Sequence, residues 1–122
     1  MSDQIKHECG IALVHLKKPL GFYTQKYGSH MYGVDKMFLM MEKQKNRGQD
    51  GAGYASIKFD LKPGQKYFYR VRSFEQQAIH SIFKKINKKI NSFIKSEKIK
   101  KGSNLFYEQT PFLGQVMLGH VR

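Results

Sequence analysis

Apolar positions recur along this chain in two rhythms, and each change of rhythm marks an element. Cys9 to Leu16 alternates as a strand, with Ile11, Leu13 and His15 on one face and Ala12, Val14 and Leu16 on the other. A strand apolar on both faces belongs between two layers, and His15 reads as its rim residue. Val34 to Lys45 has helical spacing, with Met37, Phe38, Met40 and Met41 forming an apolar stripe that reads as core packing. Asp35 in its first turn and Lys43 and Lys45 in its last suit the helix dipole. Tyr54 to Phe59 and Lys66 to Arg72 read as two strands of a hairpin marked by Pro63-Gly64. Phe74 to Lys98 is the longest helix, its stripe formed by Ile79, Ile82, Phe83, Ile86, Ile90, Phe93 and Ile94. Gln115 to Arg122 is a final strand.

The connecting stretches carry the turn residues. Lys17 to Gly33 reads as a loop or short irregular helix, punctuated by Pro19, Gly21, Gly28 and Gly33. Asn46 to Gly53 reads as a tight turn whose glycines let backbone approach a ligand. Lys100 to Gly114 reads as a polar link. The order strand, helix, hairpin, helix, strand predicts an α+β layered domain. A domain that stops on a strand looks cut short, with an open apolar edge along Gln115 to Arg122.

Composition narrows the class. A chain of 122 residues fits one domain, and its single cysteine forbids an internal disulfide, so nothing argues for secretion. No apolar run approaches the roughly 20 residues of a membrane span, and no signal sequence is visible, so the chain reads as cytoplasmic with no membrane partner. The net charge of +13 raises nucleic acid as a partner. Lysines crowd between Lys84 and Lys101 with only Glu97 opposing them, and no arginine stands there. A solvated lysine face suits that pattern better than a nucleic-acid site, which leaves a small basic nucleic-acid-binding module as an alternative. His30 has no partner at metal-ligand spacing, and no metal site is expected in this chain.

Candidate chemistry begins at Cys9. Residues 1–8 are mostly polar or charged, with Ser2, Asp3, Gln4, Lys6 and Glu8, and read as a detachable leader or propeptide. Cleavage at the Glu8–Cys9 bond would give Cys9 both a thiol and a free α-amine, so that one residue holds a nucleophile and a base. The alternative reading of Cys9 is a small buried hydrophobe, the usual state of a free cysteine in an apolar run.

Three motifs then carry a resemblance. Glu8-Cys9-Gly10-Ile11, Arg47-Gly48-Gln49-Asp50-Gly51-Ala52-Gly53 and Leu118-Gly119-His120-Val121-Arg122, in that order, resemble the class II glutaminase domain of the amidophosphoribosyltransferases, or glutamine phosphoribosylpyrophosphate amidotransferases. The Cys-Gly-Ile start is shared by all class II glutamine amidotransferases. Arg-Gly followed by Gln49-Asp50 resembles the purine enzymes, whereas glucosamine-phosphate synthases tend to have Tyr-Asp there and asparagine synthetases Pro-Asp. The resemblance implies an N-terminal nucleophile hydrolase αββα sandwich, here its first part only. It divides the chain into a leader at 1–8 and an incomplete glutaminase domain at 9–122. The implied activity is hydrolysis of glutamine to glutamate and ammonia, which feeds phosphoribosylamine formation in the first step of de novo purine synthesis. Cys9 is the implied nucleophile and Arg122 the implied clamp on the α-carboxylate of glutamine. Arg47 and Gly48 match the turn beside the nucleophile, and His120 reads as structural.

Departures from the family's pattern are equally specific. The Asn-Gly oxyanion hole and the aspartate that reads the α-amino group lie beyond the Gly-His-x-Arg strand in the family, as does the phosphoribosyltransferase domain with its magnesium site. The chain ends at Arg122, so the expectation is an N-terminal part that needs no cofactor itself and is inert alone. It would belong to a longer enzyme that is a homo-oligomer. An inactive glutaminase-like regulatory protein is the other alternative.

Overall fold

The computed structural model describes residues 9–44, 50–59, 61–96, 99 and 103–122. The chain is α+β, and its described residues form a four-stranded antiparallel sheet and four helices, in the order β1 (Gly10–His15), α1 (Leu20–Tyr27), α2 (Tyr32–Lys43), β2 (Ala52–Ile57), β3 (Phe68–Ser73), α3 (Ala78–Ser96), α4 (Asn104–Gln109) and β4 (Val116–Val121). The sheet order is β1-β4-β2-β3. The last strand therefore lies between the first strand and the hairpin.

Local chemistry sets the ends of these elements. Pro19 precedes α1, and Gly28 closes it in the left-handed conformation, φ 76°, its N–H donating to the Thr24 carbonyl. The Ser103 side chain accepts from the Phe106 N–H and caps α4, a short helix in the stretch expected to be only a polar link. Its six residues are too few to display a repeating apolar stripe.

Helices α2 and α3 cover one face of the sheet. Ile79, Ile82, Phe83, Ile86 and Ile90 turn inward from α3, and Met37 and Met41 from α2, to meet Tyr54, Met117 and Val121. Gly119 brings the two methionines onto the strand: a Cβ there would sit 2.6 Å from Met41 Sδ and 2.7 Å from Met37 Cε. Burial holds the Tyr54 hydroxyl well above the usual phenol range, and it donates to the Phe112 carbonyl at 2.9 Å.

Lys58, just past β2, is buried at 4% exposure. Its ammonium donates to the carbonyls of Tyr107 at 2.8 Å and Thr110 at 2.6 Å, and to that of Leu113. All three N–H donors of a lysine are thus used. They tie the end of α4 and the turn after it to the edge of the hairpin.

The opposite face of the sheet is open. Along β1, Ile11 is 75% exposed and Leu13 54%, while Ala12 between them is buried. The cross-strand register continues that open face as Ile11, His120, Gly53 and Arg72 in one row, and as Leu13, Leu118, Ala55 and Arg70 in the next. One expectation is corrected here. β4 is no open edge, because β1 and β2 pair with it on both sides; β1 and β3 are the edges. The Cys9 strand is covered by the described residues on one face only.

Candidate active site at the Cys9 end of the sheet

The free thiol of Cys9 is exposed, one residue before β1. Gly10 pairs with Val121, so continuing the antiparallel register by one residue sets Cys9 across from Arg122. On the other side of β4, the Arg122 N–H donates to the Gly51 carbonyl at 2.9 Å. The Arg122 carbonyl accepts from Asp50 N–H at 2.5 Å and from Gly51 N–H at 3.3 Å. Cys9, Arg122 and the Asp50-Gly51 step are far apart in sequence and share one end of one sheet.

Arg47 and Gly48 lie outside the described residues. Both flanks of their turn are nevertheless anchored at this end. After the turn, Asp50 is held by Arg122; before it, Gln44 Nε2 donates to the Ile11 carbonyl at 3.1 Å. Gln44 was not singled out from sequence. As a polar residue just past α2, directly before the turn, it carries no periodic signal, only its neighbourhood to the Arg-Gly motif.

Among the described residues, no hydrogen bond or ion pair joins Cys9 to a base. An α-amine on Cys9 itself, freed by loss of residues 1–8, would supply a base at the shortest possible reach. No group of three or more His, Cys, Asp or Glu side chains that could hold a metal ion occurs among the described residues.

His120 lies on the open face one row inward from Arg122. A Cβ on Gly53 would stand 2.5 Å from His120 Nε2, so the ring lies across β2 at the position where any other residue would carry a side chain. That contact explains Gly53 within the glycine-rich motif. The lysines of α3 stand on its outer side, and among the described residues Lys85 is the one near a carboxylate there, 3.9 Å from Glu75. Hydrogen bonds from Ser81 and Ser73, with Lys85 nearby, hold the Glu75 carboxyl below its usual range.

No helix among the described residues is long and apolar enough to cross a membrane. Comparison with protein-family models, curated proteins and solved structures finds no match to this chain.

Proposed function

We propose that this chain is the N-terminal part of a class II glutamine amidotransferase of the amidophosphoribosyltransferase type, with Cys9 as its nucleophile. One observation carries the reading. The described parts of the three motifs lie on or directly beside the adjacent strands β1, β4 and β2, and their Cys9, Arg122 and Gly51 positions meet at one end of the sheet. Motifs scattered by chance along a chain have no reason to converge on neighbouring strands.

The reaction follows from the groups at that end. Removal of residues 1–8 frees the Cys9 α-amine, whose unperturbed pKa of roughly 7.7–8.0 lets it take the thiol proton near neutrality. The thiolate attacks the side-chain amide carbon of glutamine. The C–N bond breaks, the relayed proton leaves with ammonia, and a thioester remains. Water then cleaves the thioester, giving glutamate and restoring the thiol. The planar Arg122 guanidinium pairs with the α-carboxylate of glutamine through two parallel hydrogen bonds, and Arg47 and Gly48 border the nucleophile. The open sheet face is the inner face of one half of an αββα sandwich, with the second sheet, the oxyanion donors and the phosphoribosyltransferase domain supplied by the rest of a longer polypeptide. Magnesium belongs to that other domain, and no step at Cys9 uses it.

Arg122→Gln in the full-length protein tests the binding half of this reading. The expected result is a KM for glutamine raised at least tenfold, with ammonia-dependent synthesis unchanged, because losing a charge-assisted pair to a carboxylate costs about 1.5–3 kcal/mol. An unchanged KM removes Arg122 from the site.

A further inference from the structure

We propose that Gln44 is a positioning residue for the Cys9 nucleophile: its side-chain amide clamps the start of β1 from the free edge of the sheet and fixes how Cys9 presents its thiol and α-amine. The inference rests on the proposed function, which makes Cys9 the first residue of the working chain, and extends it to a residue outside the three motifs.

A chain end is a poor place for a nucleophile, because terminal residues fray unless something ties them down. With residues 1–8 removed, Cys9 stands one residue before β1, and Gly10 opposite Val121 is the first paired position. β1 is an edge strand, so β4 holds it on one side only. Residues of an antiparallel edge strand bond to their neighbour alternately. The Leu16 N–H donates to the Gln115 carbonyl at 2.7 Å, which sets the even-numbered residues of β1, Gly10 included, in the ladder and turns Ile11 toward the free edge. There Gln44 Nε2 donates to the Ile11 carbonyl at 3.1 Å. The strand end is gripped from both sides, by Val121 at Gly10 and by Gln44 at Ile11. Ile11 is two residues from Cys9, about 6.6–6.8 Å along a strand.

The clamp has a rigid base. Gln44 directly follows α2, and its own N–H donates to the Met41 carbonyl at 3.0 Å. Met41 is buried and packs on Gly119 of β4, so core packing sets where the Gln44 amide sits. Gly10 makes room for that amide: a Cβ on Gly10 would overlap Gln44 Oε1 and stand 2.9 Å from Val121 Cγ2. Side chains alternate along a strand, so Gly10 faces Gln44 and the helix layer while the Cys9 position faces the opposite side. Gln44 therefore acts through the β1 backbone and does not touch the substrate.

Gln44→Met and Gln44→Glu in the full-length protein test the role, since both keep the length of the side chain and remove its N–H donor. Each is expected to lower kcat for glutamine hydrolysis by about tenfold or more, the scale of a misplaced reacting group, with KM for glutamine and ammonia-dependent synthesis within about twofold of wild type. Deuterium exchange in the peptide covering residues 9–16 is expected to speed up in both. Thermal melting verifies folding, and either variant suffices should the other not fold. A glutamine that only stabilises the fold would lower both activities and the melting temperature together. That result overturns the proposal, as does an unchanged kcat or an unchanged exchange rate. Failure of the proposed function shows differently: wild type itself then has no glutamine-dependent rate, and the positioning role falls with it.

Discussion

Cys9→Ser in the full-length protein is expected to cut glutamine-dependent activity by on the order of 10³-fold or more, while synthesis from free ammonia persists. Serine preserves shape but replaces the thiol with a hydroxyl, a far weaker acid that an α-amine near pKa 8 cannot usefully deprotonate. The described residues offer Cys9 no neighbouring base that could rescue the weaker nucleophile. Retained ammonia-dependent synthesis distinguishes loss of the nucleophile from loss of the fold, because the proposed function assigns that chemistry to another domain. Steady-state rates with glutamine and with ammonium salt read both halves. If glutamine-dependent activity survives the substitution, Cys9 is a small structural residue and the reaction lies elsewhere.

The second large effect is on stability. Lys58→Met is expected to destabilise the chain by about 3 kcal/mol, because methionine fills the volume but leaves the Tyr107, Thr110 and Leu113 carbonyls without their donor. The effect also depends on pH. Burial lowers the Lys58 ammonium to about 7, with Glu108 acting in the opposite direction. In the unfolded chain the same group titrates near 10.4. Between those values the unfolded chain binds a proton that the folded chain has released. Stability contributed at Lys58 therefore rises with pH across that window, by up to about 1.4 kcal/mol per pH unit. Denaturant melts of both proteins at pH 7.5 and pH 9.5 check the sign: the wild-type advantage over Lys58→Met grows at the higher pH. An advantage that shrinks would mean that the three carbonyls, and not burial, govern the proton on Lys58.

Periodicity made the elements legible and left their pairing partly hidden. The α3 stripe from Ile79 to Ile90 and the Pro63-Gly64 hairpin were readable because each repeats a spacing that only one structure satisfies. Helix α4 was not, since its six residues rest on a Ser103 cap and on Phe106 and Tyr107 turning inward. The place of β4 was misread from its position at the end of the chain. Strand order is decided by which apolar faces meet, and Met117, Gly119 and Val121 fit under Met37 and Met41 only with β4 in the middle. At the site, Cys9 and Arg122 were readable as motifs. Gln44 and the Asp50–Arg122 backbone bond were not, because they depend on a tertiary contact between segments with no pattern of their own.

Lys58 was invisible for a related reason. A lone lysine after a strand reads as solvated, and only the turn that wraps it after α4 makes it a buried clasp. The lysines of α3 carried the opposite risk. They are the densest cluster of positive charge in the described chain, yet they stand on the outer side of the helix layer.

The mass of the purified full-length protein tests the central claim most directly, namely that Cys9 acts as an N-terminal residue. With Glu8 attached, the Cys9 nitrogen is an amide that cannot accept a proton. The active protein is therefore expected to weigh less than its encoded chain by the summed mass of residues 1–8, with Cys9 as its first residue. A full-length protein that keeps those eight residues and still hydrolyses glutamine would contradict the mechanism.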